Sequence, residues 1–98
     1  MPWNVEPERD QTMVILRGRT DVLDAASLHT VLLDLGRAAL PVTVDLSAAS
    51  DLDGAIVQLL LAFHRERAGA GAPVTFVLGQ GGAARLLSRL GVARQLTG

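Results

Sequence analysis

Carboxylates, two histidines and two glycine-marked turns are the groups in this chain with chemical potential. Asp21 with Asp24, and Asp45 with Asp51 and Asp53, lie close enough in sequence to raise paired-carboxylate chemistry. Such a pair must face across a cleft at a defined separation to cleave a glycosidic bond. Asp21 and Asp24 instead fall in the first turn of an expected helix, where the backbone dipole favours negative charge and a side-chain oxygen caps a free N–H. His29 and His64 sit on different expected helices, with only Asp34 and Glu66 as nearby carboxylates. A metal site needs three or four converging ligands, so both histidines read as solvent-facing and no metal is expected. Neither has a serine in a nucleophile-elbow context. The chain has no cysteine, which excludes thiolate nucleophiles, disulfides and zinc–thiolate centres. No catalytic residue and no cofactor are expected.

The segment Gly79-Gln80-Gly81-Gly82-Ala83-Ala84 fits the pattern G-x-G-x-x-A between an expected strand and an expected helix. That is the setting of a dinucleotide fingerprint, whose glycines let the backbone approach a pyrophosphate. Only residues 85–98 follow, too few for the next strand and the acidic residue that holds a ribose. Gly79, Gly81 and Gly82 therefore make a weak nucleotide candidate beside a plainer reading, a glycine-rich turn free to enter a helix.

The strongest constellation is V-T-V-D-L-S-A-A-S-D-L-D-G-A-I-V-Q-L-L-L, Val42–Leu61. A strand is expected to end at Leu46, a short loop to cover Ser47–Leu52, and Asp53 to open a helix. The free N–H groups of a helix start favour anions, and Gly54 offers no side chain to hinder approach. The loop lies at the carboxyl end of a parallel strand, where open α/β sheets usually place their sites. On spacing alone, an ordinary strand-to-helix turn capped by Asp53 explains the segment equally well.

The elements that position these residues follow from periodicity. Trp3–Val5 reads as a short strand, Glu6–Gln11 as a turn and Thr12–Arg17 as a β-rich strand. Asp21–Leu35 reads as a helix, with Leu28, Val31, Leu32 and Leu35 on one face. Val42–Leu46 is a strand. The helix Asp53–Arg67 buries Ile56, Leu59, Leu60 and Phe63, widened by Val57 and Leu61. Pro73–Leu78 is a strand, and Ala83–Leu90 a helix with Ala83, Leu86, Leu87 and Leu90 inward. Gly91 stops it, and Val92–Leu96 forms a last turn. The order β-β-α-β-α-β-α predicts an α/β fold, a small mostly parallel or mixed sheet of four to five strands packed against helices.

Ninety-eight residues set an expectation of one domain over 1–98. The apolar fraction is 49% and only Trp3, Phe63 and Phe76 are aromatic, so the core must be aliphatic. Net charge is −1, and the basic pairs Arg17/Arg19 and Arg65/Arg67 stand in mixed company, which does not make a nucleic-acid stripe. The start, Met1 to Glu6, lacks a basic region followed by an apolar run, so no signal peptide is expected. The longest apolar run, Leu59–Phe63, is far short of a membrane span. A cytoplasmic home without membrane insertion is expected. Trp3, the lone Trp, could anchor a contact in a larger assembly or lie partly buried in the first strand.

Taken in order, several of these pieces resemble a STAS domain, the module of anti-sigma factor antagonists that also occurs at the ends of anion transporters. The resemblance rests on I-L-R-G-R-T-D with Ala25 and Leu28 following, apolar-D-L-S at Val44–Ser47, Asp53, the strand P-V-T-F-V-L, and L-x-x-L-G-V at Leu87–Val92. It covers nearly the whole chain. Phosphorylation-regulated members read D-S-S-G or D-S-T-G, and the serine after the aspartate takes phosphate from an ATP-dependent anti-sigma kinase. Here Gly54 stands at the phosphoacceptor position, Ala55 replaces the second hydroxyl residue and Ile56 replaces the glycine. D-G-A-x-x-Q-L-L is also similar to a divergent STAS branch of regulatory or chemotaxis-associated proteins.

The resemblance implies a non-catalytic interaction module without the usual switch. Its partner would be an anti-sigma factor, a histidine-kinase-like ATPase or another signalling protein, met through Ser47, Ser50, Asp51, Asp53, Gly54, Ala55 and Gln58. Ser47 and Ser50 are alternative phosphate acceptors off the family position, and no modification is expected there. A small-molecule or nucleotide binder, an accessory subunit of a transporter or sensory complex, and a weak homodimer are the competing expectations.

Overall fold

The computed structural model describes residues 3–37, 40–72 and 74–97. Four strands, β1 (Trp3–Pro7), β2 (Thr12–Thr20), β3 (Val42–Leu52) and β4 (Thr75–Val77), form one mixed sheet in the order β1-β2-β3-β4. The β1–β2 pair is antiparallel, and β2–β3 and β3–β4 are parallel. Helices α1 (Ala25–Gly36), α2 (Gly54–Gly69), α3 (Gly82–Leu90) and α4 (Ala93–Thr97) fill the crossovers and the end of the described chain. The expected α/β order is the observed one.

Alternation assigns the two faces of the sheet. Val14, Leu16, Val42, Val44, Leu46 and Phe76 point to one side and join Leu28, Leu32, Ile56, Leu60, Phe63, Leu87 and Leu96 in a single aliphatic core. Met13, Ile15, Thr43 and Asp45 point the other way and are only half-buried. The α2 stripe packs as its periodicity predicts, and so do Leu28, Leu32 and Leu35 of α1, whereas Val31, expected on that face, is half-buried and outside the core. Trp3 is half-buried against the core, as a first-strand residue would be.

β3 corrects the expected chain path. Ser47–Leu52 is not a loop: the strand continues to Leu52 beside a β2 that itself runs to Thr20. Between Ile15/Arg17 and Gly18/Arg19 the register shifts, and each time β3 advances one residue more than β2. Each extra residue is a bulge that bends the strand and resets which side chain faces inward. Burial in β3 therefore changes from every second residue (Val42, Val44, Leu46) to every third (Leu46, Ala49, Leu52). The small polar composition of this stretch hid a strand whose pairing comes from its neighbour.

Smaller differences have local causes. Glu6 and Pro7 belong to β1, where Pro7 ends an edge strand and needs no ladder N–H. The helix expected from Asp21 opens as a 3-10 turn, Val22–Asp24, held by a capping box between Asp21 and Asp24. Leu90 is exposed rather than inward, because α3 ends there at Gly91 in the left-handed conformation. β4 is confined to Thr75–Val77, and Pro73, expected to begin it, lies outside the described residues.

Two expected surface residues on α2 are not solvated. Arg67 is buried: its Nη1 donates to the Leu35 carbonyl at 3.3 Å and its Nη2 to the Leu40 carbonyl at 3.0 Å. Its guanidinium also lies 5.9 Å from the Phe63 ring centroid. The last turn of α1 and the residue Leu40 ahead of β3 thus supply acceptors that neighbouring sequence does not reveal. His64 is half-buried, with its ring edge-on to Phe76 at 5.8 Å. His29 is exposed.

Candidate functional site

Asp53 organises the junction between β3 and α2. Its backbone is extended, and its Oδ1 accepts from the Ala55 N–H at 2.9 Å. Its own N–H donates to the Thr20 carbonyl at 2.9 Å, which ties the start of α2 to the end of β2. Its carbonyl accepts from Ile56 and Val57. One residue therefore caps the helix and closes the sheet end. Gly54, the first helical residue, is exposed, and a Cβ built on it would meet nothing within 4 Å. Gln58, one turn on, is exposed, and Ala55 is half-buried.

The other candidate residues lie along the bulged part of β3. Ser47 donates from its backbone N–H and its hydroxyl to Asp45 Oδ1, at 2.9 and 2.6 Å. Its hydroxyl is thereby engaged. Ser50 is exposed and makes no side-chain hydrogen bond among the described residues. Asp51 Oδ1 accepts from the Leu52 N–H at 3.0 Å. Asp51 pairs in register with Arg19.

Ser47, Ser50, Asp51, Asp53, Gly54 and Gln58 are exposed and Ala55 is half-buried along the end of β3 and the start of α2, a stretch with two flanks. On one flank, Ala55, Gln58, Leu59 and Ala62 of α2 face Ala25, Ala26 and His29 of α1 across a groove of about 420 Å³. Val22 and Leu23 stand exposed in the turn before α1, Leu23 at 85%. This α1 wall escaped the sequence reading. The available signal was two apolar residues directly after a helix cap and outside the buried stripe.

On the other flank, the turn Gly79–Gly82 presses on β3. A Cβ on Gly79 would lie 2.6 Å from the Ser47 Cβ, and one on Gly81 3.3 Å from the Ser47 and Ala49 carbonyl oxygens. A Cβ on Gly82 would collide with the Ser50 carbonyl oxygen. Close approach to β3 accounts for the glycines at these three positions. Among the described residues, no group of three His, Cys, Asp or Glu could hold a metal ion, and no helix is long and apolar enough to cross a membrane.

The family model described as "Mlab, STAS domain" matches residues 3–98. The chain belongs to the STAS domain family. Solved structures share the fold at low identity. An anti-sigma factor antagonist from Mycobacterium paratuberculosis aligns at 22% identity and TM-score 0.77, covering 96% of this chain and 80% of that one. The unphosphorylated anti-sigma factor antagonist SpoIIAA aligns at 15% identity and TM-score 0.72, covering 88% of this chain and 81% of that one. A protein called Mglu aligns at 23% identity and TM-score 0.64 over 74% of this chain, which spans only 18% of that much longer molecule. No curated protein matches the sequence. In this chain's STAS fold, Gly54 opens α2 directly after the capping Asp53.

Proposed function

We propose that this STAS domain is a non-catalytic cytoplasmic interaction module that regulates a protein partner through the β3–α2 junction. The partner class is an anti-sigma factor, a histidine-kinase-like ATPase or a related signalling protein. The contact surface comprises Ser47, Ser50, Asp51, Asp53, Gly54, Ala55 and Gln58, extended by the α1–α2 groove and by exposed Leu23. Apolar Leu23 and the alanine floor supply area to bury, and the surrounding carboxylates restrict which partners dock.

The open space at Gly54 carries the reading of a switch removed without rebuilding the site. Packing does not demand glycine there, so the junction keeps its shape while lacking the hydroxyl that phosphorylation needs. Phosphorylation adds about −1.5 to −2 charges and breaks contacts by repulsion and desolvation. A surface without an acceptor holds one charge state. The nucleotide alternative is weaker, because Gly79, Gly81 and Gly82 are taken up by their approach to β3.

Capture of partners from the native cell tests this, comparing wild type with an Asp53→Arg, Gln58→Arg double variant. The proposal expects a specific partner retained by wild type and lost by a variant that still folds. Undiminished capture by the folded variant would remove this surface from the function.

A further inference from the structure

No acidic residue follows Glu66 in this chain, whereas Arg85, Arg89 and Arg94 do. The fold gathers these three cations on one side. Arg85 and Arg89 line a groove of about 780 Å³ with Gly79, Gln80, Ala84 and Ser88. Arg94 lines a second groove, of about 270 Å³, which shares Ser88 with the first and adds Gly91 and Ala93. All three arginines are exposed. Among the described residues none has a carboxylate within 4 Å, and the one ion pair is Arg37–Asp34, elsewhere. Arg85 Nη1 reaches only the Gln80 carbonyl, at 3.5 Å. Leu90 stands 56% exposed beside Arg89.

We propose that the α3–α4 face is a second docking surface, which takes an acidic, leucine-bearing segment of a protein partner. Arg85 and Arg89 are one helical turn apart, roughly 6 Å between side-chain origins, and each guanidinium can grip a carboxylate with two parallel hydrogen bonds. The two grooves share Ser88, which carries the contact on to Arg94, and exposed Leu90, next to Arg89 in sequence, offers an apolar anchor. Other occupants fit less well. Anionic membranes are held by clusters of about four to eight cations, more than this face presents. Single-stranded nucleic acid stacks on aromatic rings, and the face has none. A phosphate would seek the start of α3, but that backbone abuts the carbonyl oxygens of Ser47, Ala49 and Ser50, which repel anions. The surface is opposite in sign to the junction rim with its Asp51 and Asp53, and it does not depend on the junction reading.

The test is fluorescence anisotropy on the full chain with a labelled peptide of about ten residues that alternates glutamate pairs with leucine, and with its glutamine counterpart. The proposal expects the acidic peptide to bind, the glutamine peptide not to, and salt to weaken binding. Arg85→Glu, Arg89→Glu, Arg94→Glu should lower affinity by about tenfold or more, while the charge-matched control Arg9→Glu, Arg17→Glu, Arg65→Glu should not. If the first variant misfolds, the neutral set Arg85→Gln, Arg89→Gln, Arg94→Gln replaces it. The Asp53→Arg, Gln58→Arg variant should bind the peptide like wild type, which separates failure here from failure of the junction. No peptide binding, or equal loss in both charge variants, overturns the proposal. So does tighter binding of inorganic phosphate or of vesicles containing anionic lipid. Self-association abolished by the α3–α4 variant would make a second copy the occupant and would also overturn it.

Discussion

Gly82 abuts the carbonyl oxygen of Ser50 so closely that no Cβ fits between them. The other atom in this contact is backbone, so it cannot swing aside, and α3 would have to lift off β3. Gly82→Ala is therefore expected to cost about 1–3 kcal/mol, the usual penalty for overpacking. Gly54→Ala, with open space around it, should change stability by less than about 1 kcal/mol and in the favourable direction, since alanine suits a helix better. Urea denaturation of the two variants checks the contrast. Equal stabilities would mean that α3 adjusts at no cost.

Arg67 forms a different kind of joint, tying α2 to the last turn of α1 and to Leu40 ahead of β3. Removing it strips hydrogen-bonding partners from the Leu35 and Leu40 carbonyls and its packing from Phe63. Bonds from a charged donor contribute about 1.5–3 kcal/mol. Arg67→Ala is expected to lower stability by roughly 3 kcal/mol. Arg67→Met keeps the stem and should recover part of that loss. Denaturation midpoints in the order wild type, Met, Ala support the joint, whereas a Met variant as stable as wild type would show that only the stem matters.

These two contacts mark where sequence stopped being informative. Periodicity located the α1 and α2 stripes, because Leu28, Leu32, Ile56 and Leu60 answer to a period set by the helix itself. The bulged half of β3 has no such internal clock. Its inward residues, Leu46, Ala49 and Leu52, are spaced by threes because β2 dictates the register, and that constraint lies about 30 residues away in the chain. Arg67 looked like one of a solvated pair because its acceptors are carbonyls of another element. At the junction, Asp53 was legible as a cap because the cap is local. Its tie to the Thr20 carbonyl and the α1 wall of the groove were not, because both depend on how elements meet.

Asp53 combines two duties that substitution can separate. Its Oδ1 holds the Ala55 N–H, and its charge lies on the proposed partner rim. Asp53→Asn preserves an oxygen acceptor at the cap, so stability should stay within about 0.5 kcal/mol of wild type. Asp53→Ala loses the cap and should cost about 1 kcal/mol. If the carboxylate charge selects the partner, both variants lose capture in the native-cell assay although only the second is destabilised. Retained capture by Asp53→Asn would assign Asp53 to structure alone.

Gly54 offers the sharpest experiment, because the structure leaves room for the group that the sequence omits. Gly54→Ser needs no rearrangement, and its hydroxyl would stand exposed on the first turn of α2. With an ATP-dependent kinase of the anti-sigma type, this variant is expected to gain one phosphate by intact-mass spectrometry, and wild type none. A negative group here also meets the positive end of the α2 dipole, which favours it by about 0.3–1 kcal/mol. Gly54→Glu should thus match or slightly exceed wild type in thermal stability. Partner capture should nonetheless fall, because the new charge lies within the contact surface. Stability and binding would move in opposite directions at one residue, which a misfolded variant cannot imitate. Full capture by a stable Gly54→Glu would show that the partner does not touch the start of α2, and phosphate on wild-type Ser50 would show that the switch had moved along β3 instead of being lost.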